Sequence, residues 1–148
     1  MPDHRYSHAD YLKDVLEPAL ASRLVSRTCK VIRRICPDVG AIAFSGMSGA
    51  LIAPIVALRL KKPLIMVRKD NDGSHSSLAV EGVVGSDTYI ILDDQISTGA
   101  TVRRIKKHIK KFDPDTKYLG TLCYSDYGDW QTRFSWPKMQ LTKITLTR

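Results

Sequence analysis

Cysteine is scarce and scattered. Cys29, Cys36 and Cys123 make an odd number with no C-x-x-C pair, which argues against a disulfide framework and a thiolate zinc site. No apolar run approaches the roughly 18 residues that span a bilayer. The opening MPDHRYSHADYLKD is polar and carries acids, unlike a secretory or transit leader. Together these absences lead to the expectation of reduced thiols in a cytoplasmic protein with no membrane partner. The sequence also has no G-x-G-x-x-G and no Gly-Lys-Ser/Thr, so neither a dinucleotide fingerprint nor a Walker A loop is present. Histidines number 4, and His4 and His8, although spaced as on a helix, have no third ligand beside them to hold a metal. Acids are the minority charge, 15 against 23 lysines and arginines, for a net charge of +8. That balance favours anionic partners, nucleic acid or phosphorylated small molecules, without choosing between them.

What is present fits one domain, residues 1–148, with a real core. Leu20, Leu24, Thr28, Val31 and Ile35 recur at spacings of three and four within a basic background, which predicts a helix from about 8 to 36. Pro18 requires a kink or a restart inside it. GAIAFSG (40–46), PLIMVRK (63–69), YIILDD (89–94) and YLGTLCY (118–124) read as buried strands. LAVEGVVG (78–85) reads as a hairpin or edge strand, and MQLTKITLT (139–147) alternates as a further strand. Helices are expected over GALIAPIVALRLK, with Pro54 tolerable only near its first turn, and over 98–112. Strands apolar throughout, alternating with helices, predict an α/β fold with a mainly parallel central sheet flanked by helices. In such sheets ligands bind at the carboxyl ends of strands. FSGMSG, VRKDND, LDDQISTGAT and CYSDYGDW would all lie on that edge.

The most informative loop follows Asp93 and Asp94. Small residues between a strand and a helix let backbone N–H groups converge on a phosphate, and Ser97, Thr98 and Thr101 add hydroxyls. Each charge-assisted hydrogen bond contributes about 1.5–3 kcal/mol. An ordinary strand–helix turn with Thr98 as N-cap is the plainer alternative. The adjacent acids alternate in direction along a strand, and at its end they can reach hydroxyls, a metal or a cation. Left unsatisfied there, they would be costly.

IILDDQISTGAT resembles the motif with which type I phosphoribosyltransferases bind 5-phosphoribosyl pyrophosphate (PRPP): a hydrophobic strand, two acids, then a Thr-Gly-Gly/Ala-Thr loop. The resemblance extends over residues 40–124, through FSGMSG and LIMVRKDNDGSHSS. It implies a phosphoribosyltransferase type I-like fold, with a small hood from the N-terminal helix, the C-terminal segment or both. It also implies an Mg²⁺-dependent enzyme that moves the phosphoribosyl group of PRPP to a nucleobase nitrogen and releases pyrophosphate. In that scheme Ser97, Thr98, Gly99, Ala100 and Thr101 cradle the 5′-phosphate. Asp93 and Asp94 hold the ribose 2′- and 3′-hydroxyls, directly or through Mg²⁺ and water. Ser45, Gly46, Met47 and Ser48 offer backbone N–H groups to the pyrophosphate, and Arg68 and Lys69 face the charge that develops on it. Residues 70–77 form a closing loop in which His75 either touches pyrophosphate or is simply exposed. A homodimer is implied as well. VRKDNDGSH followed by VEG looks more like the orotate and adenine branches than the hypoxanthine-guanine branch, which leans the acceptor toward a purine or orotate.

Two features stay open. Residues 124–136 hold five of the chain's eleven aromatics, so Tyr124, Tyr127 or Trp130 stacks on a base, or the segment forms an interface or satellite core. Asp126 or Asp129 would then hydrogen-bond a base amino group. Arg103, Arg104, Lys106, Lys107, Lys110 and Lys111 give the helix after the motif a basic face. It is either solvated or binds RNA or DNA, in which case the protein would be a PRPP-sensing regulator and not an enzyme.

Overall fold

Pro18 ends one helix and starts the next. In the computed structural model, which describes residues 12–70, 76–94, 98–124, 131–136 and 139–145, α1 is the single turn Lys13–Leu16 and α2 runs Pro18–Ile35. The Glu17 carboxylate accepts from the N–H groups of Ala19 (3.2 Å) and Leu20 (2.8 Å), so α2 begins with a proline that needs no partner and a capping acid.

The remaining elements are β1 (Ala41–Phe44), α3 (Gly46–Leu60), β2 (Leu64–Val67), β3 (Val80–Gly82), β4 (Thr88–Asp93), α4 (Ala100–Phe112), β5 (Lys117–Cys123), β6 (Gln131–Trp136) and β7 (Met139–Thr145). They form one seven-stranded sheet in the order β3-β2-β1-β4-β5-β6-β7. The four central strands β2-β1-β4-β5 are parallel, whereas β3 at one side and β6 and β7 at the other pair antiparallel. The edge strand expected within 78–85 is therefore β3. The strand over 131–136 was not expected, because its dense aromatics suggested base contacts or an interface and hid a strand pattern. No described helix is long and apolar enough to cross a membrane.

The expectation that Pro54 lies near a first turn is corrected. Gly46, at φ 79°, turns the chain directly from β1 into α3, so MSG is the first turn and Pro54 falls in the helix interior. There its ring removes the donor for the Ala50 carbonyl.

Alternation along the central strands divides the core in two. Ile42, Phe44, Ile90, Leu92, Leu122 and Tyr124 face α2 and α3, while Ala41, Ala43, Tyr89 and Ile91 face Ile105 and Ile109 of α4. This is the period-2 rule of a sheet covered on both faces. The crossovers from β1 and from β4 leave in opposite directions, one through α3 to β2 and the other through α4 to β5. A crevice opens between the ends of β1 and β4 for that reason.

The antiparallel edge depends on a glycine. Gly82 has φ 153°, and a Cβ there would stand 2.5 Å from the Leu64 carbonyl oxygen; Gly85 also has positive φ (92°), but nothing lies within 4 Å of its Cβ position. Both Gly→Ala substitutions incur the cost of a left-handed residue, about 1–2 kcal/mol. Gly82→Ala is therefore expected to lower the urea midpoint more than Gly85→Ala, and equal midpoints would show that the β2–β3 approach is not fixed by residue 82.

Candidate active site

Alternation continues into the strand ends and decides what each acid meets. Asp93 follows Tyr89 and Ile91 toward the α4 face, and Asp94 follows Ile90 and Leu92 toward the α3 face. Ser48 of α3 donates through Oγ to Asp94 Oδ1 at 3.4 Å. On the other side, Arg104 of α4 donates through Nη2 to Ser45 Oγ at 2.8 Å and acts electrostatically on Asp93. The Asp94 N–H closes the turn onto Asp93 Oδ1 at 2.8 Å. Asp93 is 6% exposed.

Burial is the main force on that carboxyl. Together with a hydrogen bond to the Asp94 side chain and the charge of Asp94, it pushes the Asp93 pKa up to about 7, while the Asp94 N–H and Arg104 oppose the rise. Asp93 therefore keeps its proton to a higher pH than an ordinary carboxyl group.

The rest of the edge is built on two helix N-termini. Ser45, buried and extended (φ −148°, ψ 145°), precedes α3, and Gly46 in the left-handed region lets the first turn start at once. The first N–H groups of α3, with Met47 exposed and Ser48 buried, have no partner within the helix itself. Tyr124 fixes the same turn: its hydroxyl donates to the Ser48 carbonyl at 2.7 Å, and its N–H donates to the Asp93 carbonyl at 3.0 Å. At α4, Gly99 (φ 80°) is the N-cap and Thr98 Oγ1 accepts from Ala100 N–H at 3.3 Å. Arg103 Nη1 donates to the Thr98 carbonyl at 3.1 Å. Thr101 lies in the first turn of the same helix.

Most of the residues proposed from the sequence are thus brought to one crevice. Asp93, Asp94, Thr98, Gly99, Ala100 and Thr101 flank one side; Ser45, Gly46, Met47 and Ser48 flank the other. Lys69 joins them, its Cε 3.2 Å from where a Gly46 Cβ would be. Arg68 is engaged differently, gripping Glu81 of β3 through Nε (2.8 Å) and Nη2 (2.6 Å). Tyr124 is 1% exposed; its ring belongs to the core and is withheld from a base. Ser97, His75, Tyr127, Trp130, Asp126 and Asp129 lie outside the described residues.

Arg104 is the residue that sequence reasoning missed, grouped there with a solvated basic face. Its Nε is buried with no partner among the described residues. The signal was available in periodicity: Ile105 and Ile109 face the core, so 104 and 108 share the flank beside β2, where His108 Nε2 stands 3.7 Å from Asp70 Oδ1.

Among the described residues no group of three or more His, Cys, Asp or Glu side chains converges. The donor set for a cation is the two carboxylates of Asp93 and Asp94. Hard oxygens in so small a number fit an ion such as Mg²⁺, which takes its other ligands from substrate and water.

A parallel doubly wound core, with two helix N-termini and a carboxylate pair at its switch point, defines an α/β protein whose crevice lies at the carboxyl ends of its central strands. No protein-family model matches the chain. It is 30% identical over 130 residues to the hypoxanthine/guanine phosphoribosyltransferase of Methanococcus maripaludis, covering 79% of this chain and 68% of that protein. It is 25% identical over 104 residues to the orotate phosphoribosyltransferase of Methanothermobacter thermautotrophicus, covering 70% of this chain and 58% of that one. Among solved structures, adenine phosphoribosyltransferase from Saccharomyces cerevisiae superposes with a TM-score of 0.61 at 20% identity, over 81% of this chain and 76% of that one. The chain belongs to the type I phosphoribosyltransferase family. It spans about two thirds or less of the length of the curated relatives it matches.

The raised Asp93 pKa has a definite sign in stability. The folded state holds a proton that the unfolded chain releases near pH 3.9, so the contribution is complete below about 4 and is lost as pH rises through about 7. The stability of the wild type relative to Asp93→Asn is expected to fall steadily across that window in urea titrations without ligand. A difference that stays flat or rises with pH would show that Asp93 is ionised in the folded protein.

Proposed function

We propose that this chain transfers the 5-phosphoribosyl group from PRPP to a ring nitrogen of a purine or of orotate and releases pyrophosphate. The observation that carries the reading is the Asp93–Asp94 pair lying between the α3 and α4 N-termini. One ligand with two phosphate ends and a diol between them satisfies all three features.

On this reading the α4 N-terminus, with Thr98, Gly99, Ala100 and Thr101, receives the 5′-phosphate through backbone N–H groups, and Ser97 adds to the same loop. The β1–α3 turn at Ser45–Ser48 receives the pyrophosphate. Asp93 and Asp94 accept from the ribose 2′- and 3′-hydroxyls and hold Mg²⁺, directly or through water; when bound, Mg²⁺ neutralises charge developing on the departing pyrophosphate. Lys69 supplies fixed positive charge near the same group. Arg68 joins it only by leaving Glu81. Arg104, donating to Ser45 Oγ, orients the serine hydroxyl so that its proton is offered away from α4. The 70–77 loop, with His75, closes over the site to exclude water. The nucleobase contacts fall to the segment that includes Tyr127 and Trp130, under a hood that the α1 end of the chain completes.

The protein is further proposed to work as a homodimer, because Met47, Ile55 and Leu58 of α3 are 60%, 44% and 80% exposed on one helix, and such apolar faces mark interfaces. Light scattering is expected to give a dimer mass that Leu58→Glu reduces; a wild-type monomer at micromolar concentration would reject this.

Activity is tested by incubating the full chain with Mg²⁺, PRPP and, separately, adenine, hypoxanthine, guanine, orotate and uracil. One base should yield nucleotide and pyrophosphate; no product from any base with folded protein would sink the proposal. Asp94→Asn and Thr98→Val should each lower kcat/KM by about 10²-fold or more. Arg104→Met should raise KM for PRPP.

A further inference from the structure

The basic helix α4 has two unlike sides. Arg104 turns toward the crevice, but Lys106, Lys107 and Lys110 line a separate, partly open cavity of about 350 Å³, together with Tyr89, Tyr118, Pro114 and Thr116. That volume lies in the range of small-molecule sites, about 300–1,000 Å³. The cavity opens at the amino ends of β4 and β5. Tyr89 precedes Asp93 by four residues on one strand, roughly 13 Å at about 3.3 Å per residue, so the two sites lie at opposite edges of the sheet.

Several observations distinguish this side from a solvated face. Among the described residues that line the cavity, three are lysines and none carries a carboxylate. Lys106 Nζ is seated 4.3 Å from the centroid of the Tyr118 ring, which holds a cation at the wall. Tyr118 is anchored in turn: its hydroxyl is 2.6 Å from Thr121 Oγ1, and its ring lies 5.7 Å from that of Tyr89. Thr116 Oγ1 is buried and has no partner among the described residues. The helix dipole accounts for Lys110 and Lys111 at the end of α4; it gives no reason for a cavity lined by two tyrosines beside them.

We propose that this cavity is a second ligand site, taking a small phosphomonoester with a planar ring, of nucleoside monophosphate size. The phosphate would lie among Lys106, Lys107 and Lys110, and the ring against the tyrosines. A mononucleotide is favoured over a nucleic-acid strand because the lysines and tyrosines line one partly open cavity of small-molecule size and not an extended groove.

Calorimetric titration of the full chain with adenosine, guanosine and uridine monophosphates, and with inorganic phosphate, tests this. Lys107→Glu/Lys110→Glu, both at exposed positions, should weaken binding of at least one monophosphate tenfold or more, with Lys107→Gln/Lys110→Gln intermediate. Thr98→Val, at the other edge, should remove only the monophosphate binding that the 5′-phosphate cradle contributes and leave the lysine-dependent binding in place; if the PRPP reading fails, the lysine dependence should still stand. Bound monophosphate should also protect Lys106 from acetylation. Wild-type isotherms unaltered by the lysine changes, or no monophosphate binding at all, would overturn the proposal. So would binding of a short single-stranded RNA through these lysines while every mononucleotide fails.

Discussion

A carboxyl group buried at the end of a central strand has to be neutralised, hydrogen-bonded or paired, and Asp93 imposes that condition on its surroundings. It is met from several elements at once: the Asp94 N–H within the turn, the Asp94 carboxyl beside it, and Arg104 from α4. Arg104 in turn reaches Ser45, and Tyr124 ties the next strand back to Asp93 and Ser48. A small polar assembly therefore joins β1, α3, β4, α4 and the end of β5 at one point, where the two winding directions of the sheet diverge.

Burial and the neighbouring Asp94 charge favour the protonated form of Asp93. On the proposed reading, ribose hydroxyls and a divalent cation would favour its ionised form instead. The same logic separates Arg68 from Lys69: Arg68 is held by Glu81 across the β2–β3 pair, whereas Lys69 already lies over Gly46. Neighbouring cations in one strand end therefore start from different positions with respect to the crevice.

The two sides of α4 follow from packing. With Ile105 and Ile109 buried against the sheet, residues on one flank meet the crevice and β2, and those on the other meet Tyr118 and the amino ends of β4 and β5. A uniform basic stripe in one dimension becomes two distinct environments once the helix is laid across a twisted sheet.

Much of the architecture was legible from local pattern. Apolar runs ended by glycine or acids marked the parallel strands, Pro18 marked a helix start, and LDDQISTGAT marked the passage from a strand ending in two acids to a helix, because period-2 alternation, proline sterics and small-residue turns are local rules. Even the opposite facing of Asp93 and Asp94 is determined by sequence alone. Partnership was not. Arg104 meeting Ser45 across 59 positions, Arg68 turning to Glu81, Tyr124 joining the core, and the 131–136 segment extending the sheet were all decided by tertiary structure. Each depends on which elements pack together, and burial and strand pairing act between residues whose distance in the chain carries no trace of their distance in space.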